Sequence, residues 1–181
     1  MSEALIITGD GFESTELLYP LFRLNAEEGV SATVAAPEAG GIKGEVHDVV
    51  DDWDTYRVRQ GYEMEAELAF TDVDPTAYDG LVIPGGRAPE WIRHEDGIAD
   101  IVGHFFEADK PVAVTCHGPL LLAHAGVLEG RSLTCWPTIG TDIERAGAEY
   151  EDESVVVDGN LVSCPSWAES GPWMEAYIDL L

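Results

Sequence analysis

Short apolar runs alternate with stretches of helical periodicity along most of the chain. Ala4–Thr8 reads as a buried strand that ends at Gly9–Asp10–Gly11. From Glu16 to Glu28 the residues Leu17, Leu18, Leu21, Phe22 and Leu24 recur on one helical face, and Gly29 closes the helix. Val30–Ala35 is a second strand, stopped by Pro37 and Gly40–Gly41. Strand, helix and strand in this order predict a parallel sheet.

The next stretch is less regular. Lys43–Gln60 is rich in aspartate and shows no clear period, and Gly61–Phe70 fits a strand pair or a short helix. From Asp79 the pattern sharpens. Gly80–Ile83 is a strand broken at Pro84–Gly85–Gly86, and Asp96–Ala108 is a helix with Ile98, Ile101, Val102, Phe105 and Phe106 on its apolar side. Pro111–Thr115 is a buried strand followed by a helix over His117–Ala125. Leu133–Trp136 reads as a strand, Thr138–Ala146 as a helix, and Pro172–Leu181 as a closing helix. Val155–Val157 and Leu161–Ser163 flank Asp158–Gly159–Asn160, a hairpin signal. The alternation predicts a three-layer α/β/α sandwich with a mostly parallel central sheet. With no repeat or linker, residues 1–181 read as one domain carrying an insert around 43–70.

Charge narrows the partners. Lysine and arginine total 9 against 35 aspartates and glutamates, a formal net charge of −26. Such a chain is not expected to bind nucleic acid by counterion release, nor an anionic membrane surface. Disorder, the usual companion of acidity, conflicts with a hydrophobic content of 45%. The acids are scattered from Glu3 to Asp179 and lysine occurs only at Lys43 and Lys110, a surface typical of salt-accumulating halophiles. The start is acidic, no run approaches the roughly 20 apolar residues of a membrane span, and the three cysteines lack a disulfide framework. These features predict a cytoplasmic protein.

Three strand ends carry unusual residues at the edge where open parallel sheets bind ligands. In Val112–Pro119 an apolar strand runs directly into Cys116, and a helix starts at once. A nucleophile on such a turn points out of the sheet, and nearby backbone N–H groups favour the thiolate. His117 follows as a possible base or acid. A buried structural cysteine is the alternative. Pro84–Gly85–Gly86 exposes amides suited to an oxyanion hole, or is a plain turn. Gly9–Glu16 places Glu13 over the sheet, either in a site or as a helix cap. Cys135 reads as core, Cys164 as structural or pocket wall, and His94, His104 and His124 as scattered surface residues. His47–Asp48 lacks the paired spacing of a metal site.

In combination, GDGFESTEL, LVIPGGRAPE, KPVAVTCHGPLLLAHAGVLEGRSLT and VVVDGNLVS resemble the DJ-1/PfpI superfamily over nearly the whole chain. The resemblance implies a flavodoxin-like, class I glutamine amidotransferase-like fold. It also implies a cysteine enzyme of the intracellular protease, deglycase or glutathione-independent glyoxalase type. On this resemblance Cys116 is the nucleophile, Glu13 the proton-bearing carboxyl beside it, and His117 the adjoining base. Gly86 and His117 supply the oxyanion amides, Glu90 reaches the histidine from a neighbouring subunit, and Gly85, Arg87 and Trp167 line the pocket. A homo-oligomer (dimer, trimer or hexamer) then completes the site, and no metal, nucleotide or other cofactor is required. Val46–His47–Asp48, Asp54–Thr55–Tyr56, Gly61–Tyr62 and Trp167 look closer to the plant glyoxalase branch than to the shorter archaeal proteases. Ser163–Trp167 departs from the PfpI-type pattern, which carries an arginine after the hairpin.

The implied reaction converts a small aldehyde such as methylglyoxal to lactate, or repairs a glycated substrate, through the Cys116 thiolate. The same residues also fit a PfpI-type cysteine peptidase, or a non-catalytic oxidative-stress sensor or chaperone. A dinucleotide fold is excluded, because no G-x-G-x-x-G follows the first strand.

Overall fold

The computed structural model describes residues 1–181. In chain order the strands and helices are β1 (Ser2–Ile7), β2 (Phe12–Glu13), α1 (Ser14–Ala26), β3 (Val30–Ala36), β4 (Gly40–Val49), β5 (Tyr56–Ala66) and β6 (Leu68–Ala69). They continue as β7 (Gly80–Ile83), α2 (Ala88–Ile92), α3 (Ile98–Glu107), β8 (Val112–Thr115), α4 (Pro119–Ala125) and β9 (Ser132–Leu133). The chain closes with α5 (Gly140–Arg145), β10 (Glu149–Tyr150), β11 (Val156–Asp158), β12 (Leu161–Cys164) and α6 (Ser170–Ile178).

Seven strands form the central sheet in the order β11-β12-β8-β7-β1-β3-β6. Every pairing is parallel except β11 with β12. Its strands are apolar on both faces, and side-chain alternation divides them between two cores. Leu5, Ile7, Leu81, Ile83, Val112 and Val114 face α3, α4 and α5 through Ile98, Phe105, Leu121 and Ile143. Ala4, Ile6, Val82, Ala113 and Val162 face α1 and α6 through Leu17, Leu24, Trp173 and Tyr177. The result is the α/β sandwich that the alternation of strands and helices predicts. The strand order reverses at β1, whose successor β3 lies on one side while β7 lies on the other. A crevice forms at the carboxyl ends of strands at such a reversal.

Several boundaries move. Helix α1 begins at Ser14, and Phe12–Glu13 pairs with Gly44–Glu45 of β4. Phe22, expected on the apolar face of α1, is exposed. Helix α4 starts at Pro119, leaving Cys116–His117–Gly118 as a turn. The strand expected over Leu133–Trp136 stops at Leu133, and the helix expected over Thr138–Ala146 is a 3-10 turn followed by α5. Helix α2 and the short strands β2 and β10 were not expected.

The largest correction concerns Lys43–Gln60. It belongs to a long antiparallel hairpin of β4 and β5, with a bulge between Lys43 and Glu45. The hairpin lies outside the central sheet, and its β5 strand is mostly exposed. Exposed strands carry few apolar residues, so the period-2 signal was weak. The ambiguous Gly61–Phe70 is the end of β5, then β6 and the first residue of a 3-10 turn.

Candidate active site

Cys116 sits where β8 ends, with φ at +57°. A left-handed backbone costs a non-glycine residue about 1–2 kcal/mol, so the surrounding structure must hold it. Its N–H donates to Cys164 O at 3.2 Å, and its carbonyl accepts from Trp136 N–H at 3.0 Å. Gly118 makes the turn possible: a Cβ there would lie 2.6 Å from Val114 Cγ2 and 2.8 Å from Ile83 O. The sulfur is thereby presented at the carboxyl edge of the sheet, facing the β7–α2 loop.

That loop is tied to the β1–α1 loop. Arg87 N–H and Ala88 N–H donate to Gly11 O, and Phe12 bridges Gly86. Gly86 has φ at +81°, and a Cβ on it would meet the Gly11–Glu13 backbone, 2.7 Å from Phe12 C. Only glycine fits both conditions. The backbone N–H groups of Gly86 and His117 both face the sulfur.

The acid beside the sulfur is Glu16 and not Glu13, which corrects the sequence expectation. Glu13 is the N-cap of α1: its Oε2 accepts from Thr15 N–H at 2.8 Å and Glu16 N–H at 2.9 Å. In an ordinary capping box the third helical residue turns back to the cap N–H. Here Glu13 N–H donates instead to Gly85 O at 3.3 Å, and Gly85 N–H donates to Glu16 Oε2 at 3.0 Å. Glu16 is thereby drawn away from its own helix and against Cys116. Its side chain is fully buried, and Oε1 lacks a well-formed hydrogen bond.

Burial, and next the neighbouring Glu13, push the Glu16 carboxyl up to about 8, against weaker opposing pulls from Cys116 and the Gly85 and Trp167 amides. It therefore holds its proton at neutral pH. Burial, then any negative charge on Glu16, raises the Cys116 thiol, while the Gly86 and His117 amides lower it. The second of these raising causes vanishes whenever Glu16 is protonated. Both groups therefore keep their own protons at neutral pH, which corrects the expected thiolate: the resting sulfur is a thiol.

His117 Nδ1 lies 3.2 Å from Cys116 Sγ. Burial, then the proximity of His47, push its pKa down to about 4. It is neutral near pH 7 and can accept a proton. Glu90 is exposed on α2 and makes no hydrogen bond to His117 in the protomer. It lines a surface cavity of about 680 Å³ with Asp10, Gly11, Arg87, Trp91 and Arg93. Trp167 is half-buried after β12, its amide near Glu16. Cys164 is buried, donating to Thr115 Oγ1 at 3.1 Å, and Cys135 lies in the core.

The hairpin adds residues the sequence reading did not assign to the site. Buried His47 Nε2 lies 2.6 Å from Glu45 Oε1. Arg87 Nε donates to Glu45 Oε2 at 2.9 Å. Burial would raise Glu45, but His47 and Arg87 outweigh it and hold the carboxyl below its ordinary value. The Tyr56 ring stacks on His47, centroids 3.9 Å apart, and meets Trp136 and His117 edge-on. Burial, then the charges of Cys116, Glu45 and Glu90, push the Tyr56 phenol up to about 12. The available signal was Glu45-x-His47, two polar residues at the period of a strand face, which the bulge and the glycines around it concealed. No group of three or more His, Cys, Asp and Glu side chains converges in metal-binding geometry, and no helix is long and apolar enough to cross a membrane.

Known proteins share this arrangement of strands. The chain is 44% identical over 179 residues to a deglycase of Thermococcus kodakarensis, covering 99% of both chains. It is 33% identical over 183 residues to DJ-1 homolog D of Arabidopsis thaliana, covering 98% of this chain and 47% of that one. The expected leaning toward the plant branch is therefore corrected: over its length this chain is more similar to the archaeal deglycase. Among solved structures, a two-domain protein of Anabaena variabilis with DJ-1/ThiJ/PfpI-like and ferritin-like domains superposes with a TM-score of 0.88 at 28% identity. The match covers 99% of this chain and about half, 48%, of that one. With residues 2–180 matching the family model as well, the chain belongs to the DJ-1/PfpI family.

Proposed function

We propose that this protein is a cysteine-dependent enzyme for small reactive carbonyls, a deglycase or glyoxalase that turns methylglyoxal into lactate. The observation that carries the reading is the meeting, at one strained cysteine, of a protonated buried carboxyl, a neutral histidine and two inward backbone amides. The deglycase name of the Thermococcus relative supports the reaction class.

The Cys116 sulfur attacks the aldehyde carbon of methylglyoxal and its proton passes to His117. The carbonyl oxygen, on which negative charge develops, lies against the Gly86 and His117 amides and takes a proton from Glu16, giving a hemithioacetal. The Glu16 carboxylate then removes the C1 proton while protonated His117 gives its proton to the C2 oxygen; Glu16 returns its proton to C2 and His117 takes the C1 hydroxyl proton, leaving a thioester. Water cleaves the carbon–sulfur bond, releasing lactate and restoring the thiol. The net change is addition of one water. Holding the carbonyl between donors and nucleophile supplies most of the acceleration.

The competing peptidase reading uses the same sulfur on an amide. It requires Glu90 of a second copy against His117, since none is supplied in the protomer. Methylglyoxal, a glycated free amino acid and a fluorogenic peptide tested side by side in molar KCl separate the two. Turnover of the first two without peptide cleavage is expected, and peptide cleavage without carbonyl turnover overturns the proposal.

A further inference from the structure

Cys116 is only 2% exposed and His117 6%, although both stand at the sheet edge where a substrate must arrive. The Tyr56 ring packs against His117 at this edge, close enough to Cys116 to feel its charge. It is edge-on to His117 with centroids 6.2 Å apart, edge-on to Trp136 at 5.6 Å, and stacked on His47 at 3.9 Å with planes 13° apart. Its neighbours along the chain, Asp51–Thr55 and Arg57–Gln60, are all exposed. The partial burial of Tyr56 is therefore owed to the site and not to the core of its strand. The ring is also fastened. His47 is held by Glu45 at 2.6 Å, and Glu45 by Arg87, which adjoins the glycine that faces the sulfur. The ring and the reacting groups are thus linked by one chain of polar contacts.

We propose that Tyr56 is the specificity-determining residue of this site, a clamped ring that admits small carbonyl compounds to Cys116 and turns away peptide-sized ones. It rests on the reading of Cys116 as a carbonyl-directed nucleophile. A compact oxoaldehyde slides past the ring, whereas a bulky group must lift it from three aromatic neighbours. Opening of this kind is a local free-energy cost that slows large reagents and spares small ones. Tyr56 acts by position and size, so the ring matters and the hydroxyl does not.

The test is the alkylation rate of Cys116 by iodoacetamide and by a rhodamine-bearing iodoacetamide. In both, sulfur displaces iodide, a carbon–sulfur bond replaces the carbon–iodine bond, and the thiol proton goes to buffer. Peptide mass spectrometry assigns the label to Cys116, since Cys135 and Cys164 are also free. Tyr56→Ala should raise the bulky-to-small rate ratio by about tenfold, the equivalent of about 1.4 kcal/mol in a barrier. Tyr56→Phe should retain the wild-type ratio. Tyr56→Val, a good strand former at the first residue of β5, replaces the alanine variant if that one fails to fold. An unchanged ratio in the alanine or valine variant, or a phenylalanine variant that behaves like them, overturns the proposal. Labelling needs no turnover: loss of the size selectivity without methylglyoxal activity sinks the functional reading alone, and activity without size selectivity sinks the filter alone.

Discussion

Replacing Glu16 by glutamine should change how stability depends on pH. The folded-state carboxyl titrates near 8 against an ordinary value of 4.5. Between those values the folded chain keeps a proton that the unfolded chain has lost, so stability falls as pH rises, by about 1.4 kcal/mol per unit. His117 acts in the opposite sense. Pushed down from 6.5 to about 4, it contributes stability that is complete above pH 6.5 and is lost as pH falls toward 4. The two largely offset each other from pH 4.5 to 6.5. From pH 6.5 to 8 the Glu16 effect stands clear of His117 and should cost the wild type about 2 kcal/mol. In a chain of this size that is a fall in Tm of roughly 4–8 °C. Glutamine cannot titrate, and its carbonyl can still accept the Gly85 N–H. Thermal unfolding followed by circular dichroism in molar KCl, across pH 6.5 to 8, measures both slopes. The wild-type Tm should fall relative to Glu16→Gln across that window. Parallel curves would refute the protonated Glu16.

Other outcomes follow from the same structure. Glu13→Ala removes the α1 cap, which should cost about 1 kcal/mol, and removes one cause of the raised Glu16 value, so carboxyl NMR should find Glu16 titrating at lower pH. Gly86→Ala places a Cβ against backbone at a left-handed position, so urea unfolding should register a loss of about 2 kcal/mol or more together with loss of activity. The charge of −26 should make Tm climb steeply from dilute buffer to molar KCl, where the Debye length is about 3 Å, and a flat salt profile would contradict the halophilic reading.

The central sheet was legible because both its faces are buried. Continuous apolar runs such as Leu81–Ile83 and Val112–Thr115, ended by glycine or the cysteine turn, leave few alternatives. The same punctuation located Cys116, His117 and Gly86. The acids were harder to read. Glu13 and Glu16 are one helical turn apart, and which becomes the cap depends on Gly85, a partner 69 residues from Glu16. The hairpin was harder still. Its β5 strand is exposed for most of its length, so it lacks the apolar alternation that marks a strand. Tyr56, His47 and Glu45 meet the site only through tertiary packing, which local pattern does not encode. Composition argued against nucleic acid as a partner but said nothing of the chemistry, since only a few of 35 acids approach the sulfur.

Lactate production from methylglyoxal, followed by proton NMR in molar KCl, tests the role of Cys116 most directly. The wild type should release lactate without added glutathione, and folded Cys116→Ala should release none above the uncatalysed background. Equal rates from the two proteins would contradict the assignment of Cys116 as the nucleophile.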